Sequence, residues 1–145
     1  METGCEPPRI VAGMPMYNEE ETIGTVVTMA LRHVDEVICI DDGSSDSSAR
    51  IAEACGATVI RHRGNQGYGA ALKTLFKTMR SNDADILVVL DSDGQHDTSD
   101  IPKLVQPILD EEADFTIGSR FVEGGEGNDM PAYRRLGIKV ITAAS

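Results

Sequence analysis

The fold of this 145-residue chain is decided by one stretch, Ile86-Leu87-Val88-Val89-Leu90-Asp91-Ser92-Asp93. Its first five residues are all apolar, which predicts a strand covered on both faces, as in a parallel sheet flanked by helices. Two carboxylates stand where that strand must end. Residues 86–93 therefore predict a buried central strand whose carboxyl end carries polar side chains.

Shorter apolar runs elsewhere in the chain predict further strands, separated by segments with helical periodicity. The predicted strands are Ile10–Met14, Glu36–Ile40, Thr58–Arg61, Ile86–Leu90 and Phe115–Gly118. The predicted helices run from an N-cap at Asn18 to Leu31, over Asp46–Cys55, over Tyr68–Met79 and over Ile101–Ile108, where Pro107 should interrupt or kink the last one. Strand alternating with helix predicts an open, mostly parallel α/β sheet with helices on both faces.

Composition narrows the class of protein. The length suits a single domain over residues 1–145, and a net charge of −11 argues against binding nucleic acid. No apolar run is long enough to span a bilayer, and because residues 1–8 have no apolar core of the signal-peptide kind, we expect no secretion. Cys5, Cys39 and Cys55 have no metal-site spacing, so we expect reduced thiols in a cytoplasmic protein.

Four polar segments follow the first four predicted strands. They are Pro15–Glu21, Asp41–Asp46, Arg63–Gly69 and Asp91–Asp97. Parallel strands bring their carboxyl ends to one edge of the sheet, where ligands of such folds bind. We therefore expect these segments to form one site.

Asp91 and Asp93 are the candidate metal ligands of that site. Carboxylates at i and i+2 on extended backbone point to the same side, and their repulsion favours a shared proton or a divalent cation. With the amide oxygen of Gln95, the set suits Mg²⁺ or Mn²⁺. The alternative is a solvated acidic turn, whereas a helix–loop–helix Ca²⁺ site is excluded because His96 stands where its glycine belongs.

The other segments offer contacts to a nucleotide. Asp41 or Asp42 can accept a hydrogen bond from a base or a ribose, or the segment can simply cap a helix through Ser44, Ser45 and Asp46. The glycines of residues 64–69 suit either close approach to a phosphate or a tight turn. Pro15 and Tyr17 suit either a wall for a flat base or an ordinary loop.

In order along the chain, residues 14–20, 40–46, 64–69, 90–96 and 118–121 together resemble the family 2 glycosyltransferases. The resemblance is strongest to the branch of dolichol-phosphate mannose synthases and polyprenyl-phosphate glycosyltransferases. It implies a GT-A fold, a GDP- or UDP-sugar donor, and inverting transfer to a polyprenyl or dolichyl phosphate in the synthesis of cell-envelope or glycoprotein glycans. The family's domains are longer, so the chain resembles the donor-binding half plus the start of the acceptor half.

The resemblance also implies roles for individual residues. The implied donor contacts are Pro15, Tyr17, Glu19, Asp41 or Asp42, Gly67, Asp91 and Ser92. The implied metal ligands are Asp91, Asp93 and Gln95, and the implied acceptor-phosphate ligands are Arg120 and Arg134. Asp91, Asp93 and Arg120 would be catalytic, since the cation neutralises charge on the departing diphosphate and an acceptor that is already an anion needs no strong base.

Further expectations concern partners and rival functions. Leu136–Ser145 is expected to begin a membrane-facing helix, which with the resemblance implies peripheral contact at the cytoplasmic face of a membrane and allows a homodimer. One alternative is a binding module for a nucleotide sugar or a metal, without catalysis. Another is a phosphatase of the haloacid-dehalogenase type with Asp91 as the nucleophile.

Overall fold

A computed structural model describes residues 6–118 and the backbone of residues 139–142. The strands within these ranges are β1 (Ile10–Met16), β2 (Glu36–Asp41), β3 (Thr58–Arg61), β4 (Ile86–Val89), β5 (Phe115–Ile117) and β6 (Lys139–Thr142). The helices are α1 (Ile23–Ala30), α2 (Ser48–Ala54), α3 (Tyr68–Met79) and α4 (Ile101–Leu109). A short 3-10 turn over Thr98–Asp100 leads into α4.

The strands form one mixed sheet in the order β3-β2-β1-β4-β6-β5. The pairs β1–β2, β2–β3 and β1–β4 are parallel, so the predicted open, mostly parallel α/β sheet is confirmed for this part. β6 pairs antiparallel with both β4 and β5, and so separates those two strands. Residues 139–142 thus contradict the helix expected over Leu136–Ser145: three of these four residues are β-branched, which favours a strand, and β4 offers them an open edge.

Helices cover both faces of the sheet, as the apolar strands predicted. On one face, α1, α2 and α4 pack against side chains such as Met14, Cys39 and Val88. On the other face, α3 packs against the alternating set that includes Val11 and Ile38. The period of two along each strand divides the core in this way.

The close approach of α3 to the sheet depends on Gly13 in β1. A Cβ at this position would lie 2.5 Å from the Cδ2 atom of Leu75, which is fully buried. Leu75 therefore occupies the space that a side chain of residue 13 would fill. This contact therefore sets how closely α3 approaches the sheet.

The predicted helices differ from the structure in three details. α1 begins at Ile23 rather than after an N-cap at Asn18, because Asn18 adopts a φ of 50° and its side-chain oxygen accepts the Ser45 N–H instead. α4 continues to Leu109 through Pro107, which lies in its last turn, so the helix is not interrupted there, and the alternative of a kink stays a prediction. Helical periodicity predicts an apolar stripe of Tyr68, Leu72, Leu75, Phe76 and Met79 in α3, whereas the buried residues are Ala71, Leu75 and Met79, and Tyr68 and Phe76 are exposed.

Cys39 is a buried free thiol, as predicted, whereas Cys55 is partly exposed. Burial and then the charge of Asp41 raise the pKa of the Cys39 thiol to about 12. Because the thiolate is the reactive form, we expect iodoacetamide to leave Cys39 unmodified in the native chain and to label it once denaturant is added. Mass spectrometry of the alkylated peptides measures this, and rapid labelling of Cys39 without denaturant would contradict the packing of β2.

None of the helices within the described ranges is long and apolar enough to cross a bilayer.

Candidate functional site

A cleft of ≈ 330 Å³ lies at the carboxyl ends of β1, β2 and β4, beside the N-terminus of α3. From β1 the chain adds β2 and β3 on one side of the sheet and then β4 on the other side of β1. Open α/β sheets bind ligands at such a topological switch point. The volume is in the range of small-molecule sites. Its lining residues are Pro15, Met16, Tyr17, Glu19, Asp42, Asn65, Gly67, Tyr68, Ala71, Asp91, Ser92 and Asp93.

The loop that carries Asp91 and Asp93 is fastened to its neighbours through Ser92. The Ser92 hydroxyl donates to the carbonyl of Pro15 at 3.0 Å, and the hydroxyl of Thr22 donates to the carbonyl of Ser92 at 2.8 Å. Ser92 is itself buried. The loop is therefore held against β1 and α1, and both flanking aspartates face the cleft.

Within the described ranges, two polar side chains lie near the carboxylate of Asp91. The Tyr68 hydroxyl donates to its Oδ1 atom at 3.4 Å, and His96 Nδ1 lies 3.8 Å from its Oδ2 atom. Burial, the charge of Asp91 and this hydrogen bond raise the pKa of Tyr68 to about 12. Tyr68 is thus a protonated donor at neutral pH and contributes a hydroxyl to the cleft.

Asp41 and Asp42 are adjacent but serve different structures. The Asp41 side chain is fully buried, with its Oδ1 atom accepting the Ser44 N–H and its Oδ2 atom 3.1 Å from Arg61 Nε. Arg61 also donates to the carbonyl of Ser44. Asp41 therefore closes the turn after β2 and does not line the cleft, whereas Asp42 does.

Asp42 joins the turn after β2 to the glycine-rich loop before α3. Its Oδ1 atom lies 2.7 Å from His62 Nδ1 and accepts the Gln66 N–H at 3.0 Å, while its Oδ2 atom accepts the Gly67 N–H at 2.8 Å. Burial alone would raise the pKa of Asp42, but these hydrogen bonds and the charge of His62 hold that pKa below its ordinary value. Asp42 is therefore a carboxylate at neutral pH.

The loop after β1 is fastened to the turn after β2. The N–H groups of Asn18 and Glu19 donate to the hydroxyls of Ser44 and Ser48, at 2.9 and 2.7 Å. Asp46 accepts the Ser48 N–H at the start of α2, so part of the alternative capping role applies to this residue. These contacts leave Tyr17 beside the cleft with 46% of its surface exposed.

The structure thus brings together eight of the residues that the sequence singled out. These are Pro15, Tyr17, Glu19, Asp42, Gly67, Asp91, Ser92 and Asp93. Asp41 is buried and does not line the cleft, and the Gln95 side chain is exposed and is not part of the lining. Arg120 and Arg134 lie outside the described residues.

Sequence reasoning gave no individual role to Asn65, Tyr68 or His62, although Asn65 and Tyr68 lie in the segment of residues 63–69 that was expected at the site. Helical periodicity alone places Tyr68 in the apolar stripe of α3, whereas its position directly after the glycine-rich loop indicates the cleft. His62 has no ligand spacing to any residue, and its contact with Asp42 spans 20 positions. The one sequence signal for His62 is its position directly after β3, at the same edge of the sheet as Asp42.

Asp91 and Asp93 suit a divalent cation whose coordination is completed by phosphate oxygens of a bound ligand. In the described part of the chain, no three His, Cys, Asp or Glu side chains converge as a ready metal site. Asp91 and Asp93 nevertheless line one cleft and supply the hard oxygen atoms that Mg²⁺ and Mn²⁺ prefer. Mg²⁺ is commonly held by one or two carboxylates together with phosphate oxygens, so two aspartates suffice.

Known proteins with related sequences include two transferases. A UDP-N-acetylglucosamine–dolichyl-phosphate N-acetylglucosaminyltransferase of Methanococcus voltae is 33% identical, over 86% of this chain and 57% of that protein. A dolichol-phosphate mannosyltransferase of Pyrococcus furiosus is 34% identical, over 85% of this chain and 36% of that protein. The chain thus spans roughly a third to just over half the length of these relatives.

A solved structure and a family model agree with the fold. Glucosyl-3-phosphoglycerate synthase of Mycobacterium tuberculosis, in complex with Mn²⁺, UDP-glucose and phosphoglyceric acid, superposes with a TM-score of 0.63 and 30% identity. The match covers 74% of this chain and 42% of that one, and confirms the expected GT-A fold. The model described as "Glycosyl transferase family 2" matches residues 12–143. With nearly the whole chain matched, the protein belongs to glycosyltransferase family 2.

Proposed function

We propose that this chain binds a nucleoside-diphosphate sugar in the cleft, and that the protein transfers the sugar to a polyprenyl or dolichyl phosphate with inversion at the anomeric carbon. The observation that carries the proposal is the convergence of Asp42, Asp91 and Asp93 on one cleft at the switch point of the sheet. The names of the relatives support a lipid-phosphate acceptor. The neighbour crystallised with UDP-glucose supports the donor class.

Each wall of the cleft suits one part of such a donor. Tyr17 and Pro15 offer an apolar surface for a base at the end of β1. Asp42 offers a carboxylate to an N–H or hydroxyl group of the nucleoside. Tyr68 offers a hydroxyl donor close to the acidic pair, where negative phosphate oxygens would lie.

Asp91 and Asp93 would hold Mg²⁺ or Mn²⁺, with Gln95 retained as a predicted third ligand. A bound divalent cation supplies positive charge that stabilises a departing diphosphate. The chain's own contribution is to fix the two carboxylates, through the bonds of Ser92 to Pro15 and Thr22, before any ligand arrives. Such a preformed site needs little rearrangement when charge develops.

Arg120 and Arg134 remain the predicted ligands of the acceptor phosphate. Guanidinium groups pair with phosphate through two parallel hydrogen bonds, and this protein has few positive charges to spare, since 24 acidic residues face 13 basic ones. A lipid-phosphate acceptor would also bring the protein to a membrane surface. That contact, and a homodimer, remain predictions.

Calorimetric titration with UDP and GDP, each with and without Mn²⁺, tests the donor site. We expect binding that depends on Mn²⁺ for at least one nucleotide, since the phosphates complete the coordination of the cation. Addition of the matching sugar nucleotide should then give slow donor hydrolysis, because water replaces the acceptor. Binding without hydrolysis would favour the non-catalytic module, and the absence of any binding would refute the proposed donor site.

The phosphatase alternative has a separate test. In that chemistry Asp91 would be phosphorylated, and beryllium fluoride would trap a mimic of the phosphoaspartate. Asp91 follows β4, the fourth strand of the chain, whereas phosphatases of that class normally carry their nucleophile on the first strand. We expect beryllium fluoride to leave the thermal unfolding of the chain unchanged.

A further inference from the structure

One side of α3 is basic in a chain that is otherwise strongly acidic. Residues 54–82 contain no Asp or Glu, although the chain has 24 acidic residues among 145, and this is its longest stretch without one. Within that stretch α3 carries Lys73 and Lys77 and ends at its C-cap Arg80. The spacing i, i+4 and i+7 places these three cations on one side of the helix.

This side points away from the sheet. The buried residues of α3, which pack against the strands, are Ala71, Leu75 and Met79. Lys73, Lys77 and Arg80 are exposed, and in the described part of the chain none of them forms an ion pair with a carboxylate. The helix dipole favours cations at the end of a helix, which accounts for Lys77 and Arg80 but not for Lys73.

Aromatic side chains accompany the cations. Phe76 is 38% exposed and lies one helical turn from both Lys73 and Arg80. We call Lys73, Phe76, Lys77 and Arg80 the outer face of α3. Tyr68, the first residue of the helix, is 54% exposed and lines the cleft. The helix rises about 18 Å from Tyr68 to Arg80, so the outer face extends along α3 from the rim of the cleft.

We propose that the outer face of α3 binds the surface of a bilayer that contains anionic phospholipids, and so holds the rim of the cleft at Tyr68 beside the membrane. This inference rests on the proposed function, because a polyprenyl or dolichyl phosphate carries its phosphate at the level of the lipid headgroups. Each unpaired Lys or Arg at such a surface raises the affinity by about fivefold. An exposed aromatic ring adds apolar contact at the headgroup boundary.

The net charge of −11 does not prevent this contact. At physiological salt, charges further from the membrane than a Debye length of about 8 Å are largely screened. α1, α2 and α4 pack on the opposite face of the sheet from α3, so the carboxylates near those helices are held away from a membrane that touches α3. Repulsion of these carboxylates also turns the outer face of α3 toward an anionic surface.

Two other occupants fit the outer face of α3 less well. A second copy of the chain would bring two identical basic faces together in a symmetric pair, and their like charges would repel each other. An acidic protein could pair with the cations. It would leave unexplained why the basic face begins at the rim of the cleft, where an acceptor from a membrane would have to arrive.

Sedimentation of the chain with lipid vesicles tests the inference. Vesicles of phosphatidylcholine alone are compared with vesicles in which about one third of the lipid is anionic phosphatidylglycerol. We expect binding to the anionic vesicles only, and weaker binding as the salt concentration rises. Lys73→Gln combined with Lys77→Gln should lower the partition coefficient by about 30-fold, since each charge contributes about fivefold.

Arg32→Gln combined with Arg50→Gln is the matched control. Both arginines are exposed, Arg32 after α1 and Arg50 in α2, on the other face of the sheet. This variant has the same net charge as the double lysine variant, but its partition coefficient should change by less than about twofold, because the lost charges lie away from the membrane. Lys73→Arg combined with Lys77→Arg keeps both cations and should bind as the wild type does.

The outcomes separate the two levels of proposal. Equal losses in the two glutamine variants would show attraction by net charge alone and would overturn the inference. Absence of binding to anionic vesicles would also overturn it, and would favour an acidic protein as the occupant. Titration with UDP and Mn²⁺ needs no vesicles, and the double lysine variant should bind UDP as the wild type does. If the chain binds vesicles but no nucleotide, the proposed function fails while the membrane contact stands.

Discussion

Replacement of Asp93 by alanine is expected to abolish the Mn²⁺-dependent part of UDP binding and to leave the fold intact. Asp93 lines the cleft beside Asp91, and loss of one of the two carboxylates proposed to bind the cation leaves a divalent cation with too few charged ligands. Affinity for UDP in Mn²⁺ should fall by about 100-fold or more, because even the outer partners of metal ligands contribute 10–100-fold. Titration of both proteins, with and without Mn²⁺, measures the loss.

The fold should tolerate this change because Asp93 has a small structural role. Its Oδ1 atom accepts the Gln95 N–H at 3.0 Å, and loss of such a bond costs about 1 kcal/mol. Asp100→Asn provides the matched control, since Asp100 pairs with Lys103 on the surface and does not line the cleft. Retention of full Mn²⁺ dependence in Asp93→Ala would remove this residue from the site.

Replacement of Gly43 by alanine should destabilise the chain and damage the cleft together. Gly43 has a φ of 80°, and a Cβ there would lie 2.7 Å from the carbonyl carbon of Gly64, a backbone atom that cannot rotate away. Strain of this φ in an L-residue and the steric overlap together should lower the free energy of unfolding by about 3 kcal/mol. Urea denaturation followed by circular dichroism measures it.

The same substitution should weaken UDP binding because of where the overlap falls. Displacement of Gly64 and Asn65 carries the N–H groups of Gln66 and Gly67 away from Asp42. Gly64→Ala is the control within the same loop, because nothing lies within 4 Å of its Cβ position, and its effect on stability should stay within about 0.5 kcal/mol. Equal effects of the two substitutions would show that the loops do not approach as closely as described.

The antiparallel strand β6 shows where local patterns fail. The buried strand over residues 86–90 and the helices after the strands can be predicted from the hydrophobic pattern alone. A strand that is buried on both faces is a continuous apolar run, and a helix that is buried on one face has apolar residues at helical spacing. The β-branched residues of 139–142 favour a strand, but they do not determine its partner, and the place of β6 between β4 and β5 depends on an edge that another part of the chain leaves open. The structure of such a short segment, which contains both apolar and polar residues, is therefore determined by the strands with which it pairs.

The pair Asp41 and Asp42 shows the same division within the site. The amino-acid sequence alone indicated an acidic family 2 domain with an open sheet. It also placed both aspartates at the sheet edge formed by the carboxyl ends of the strands, because strand ends and polar loops are local features. Only the tertiary structure decided that Asp41 is buried against Arg61 and that Asp42 faces the cleft in contact with His62. The side chains of neighbouring residues point to opposite sides of the backbone. The residues that they contact belong to a segment about 20 positions further along the chain, and no local sequence pattern indicates that this segment packs there.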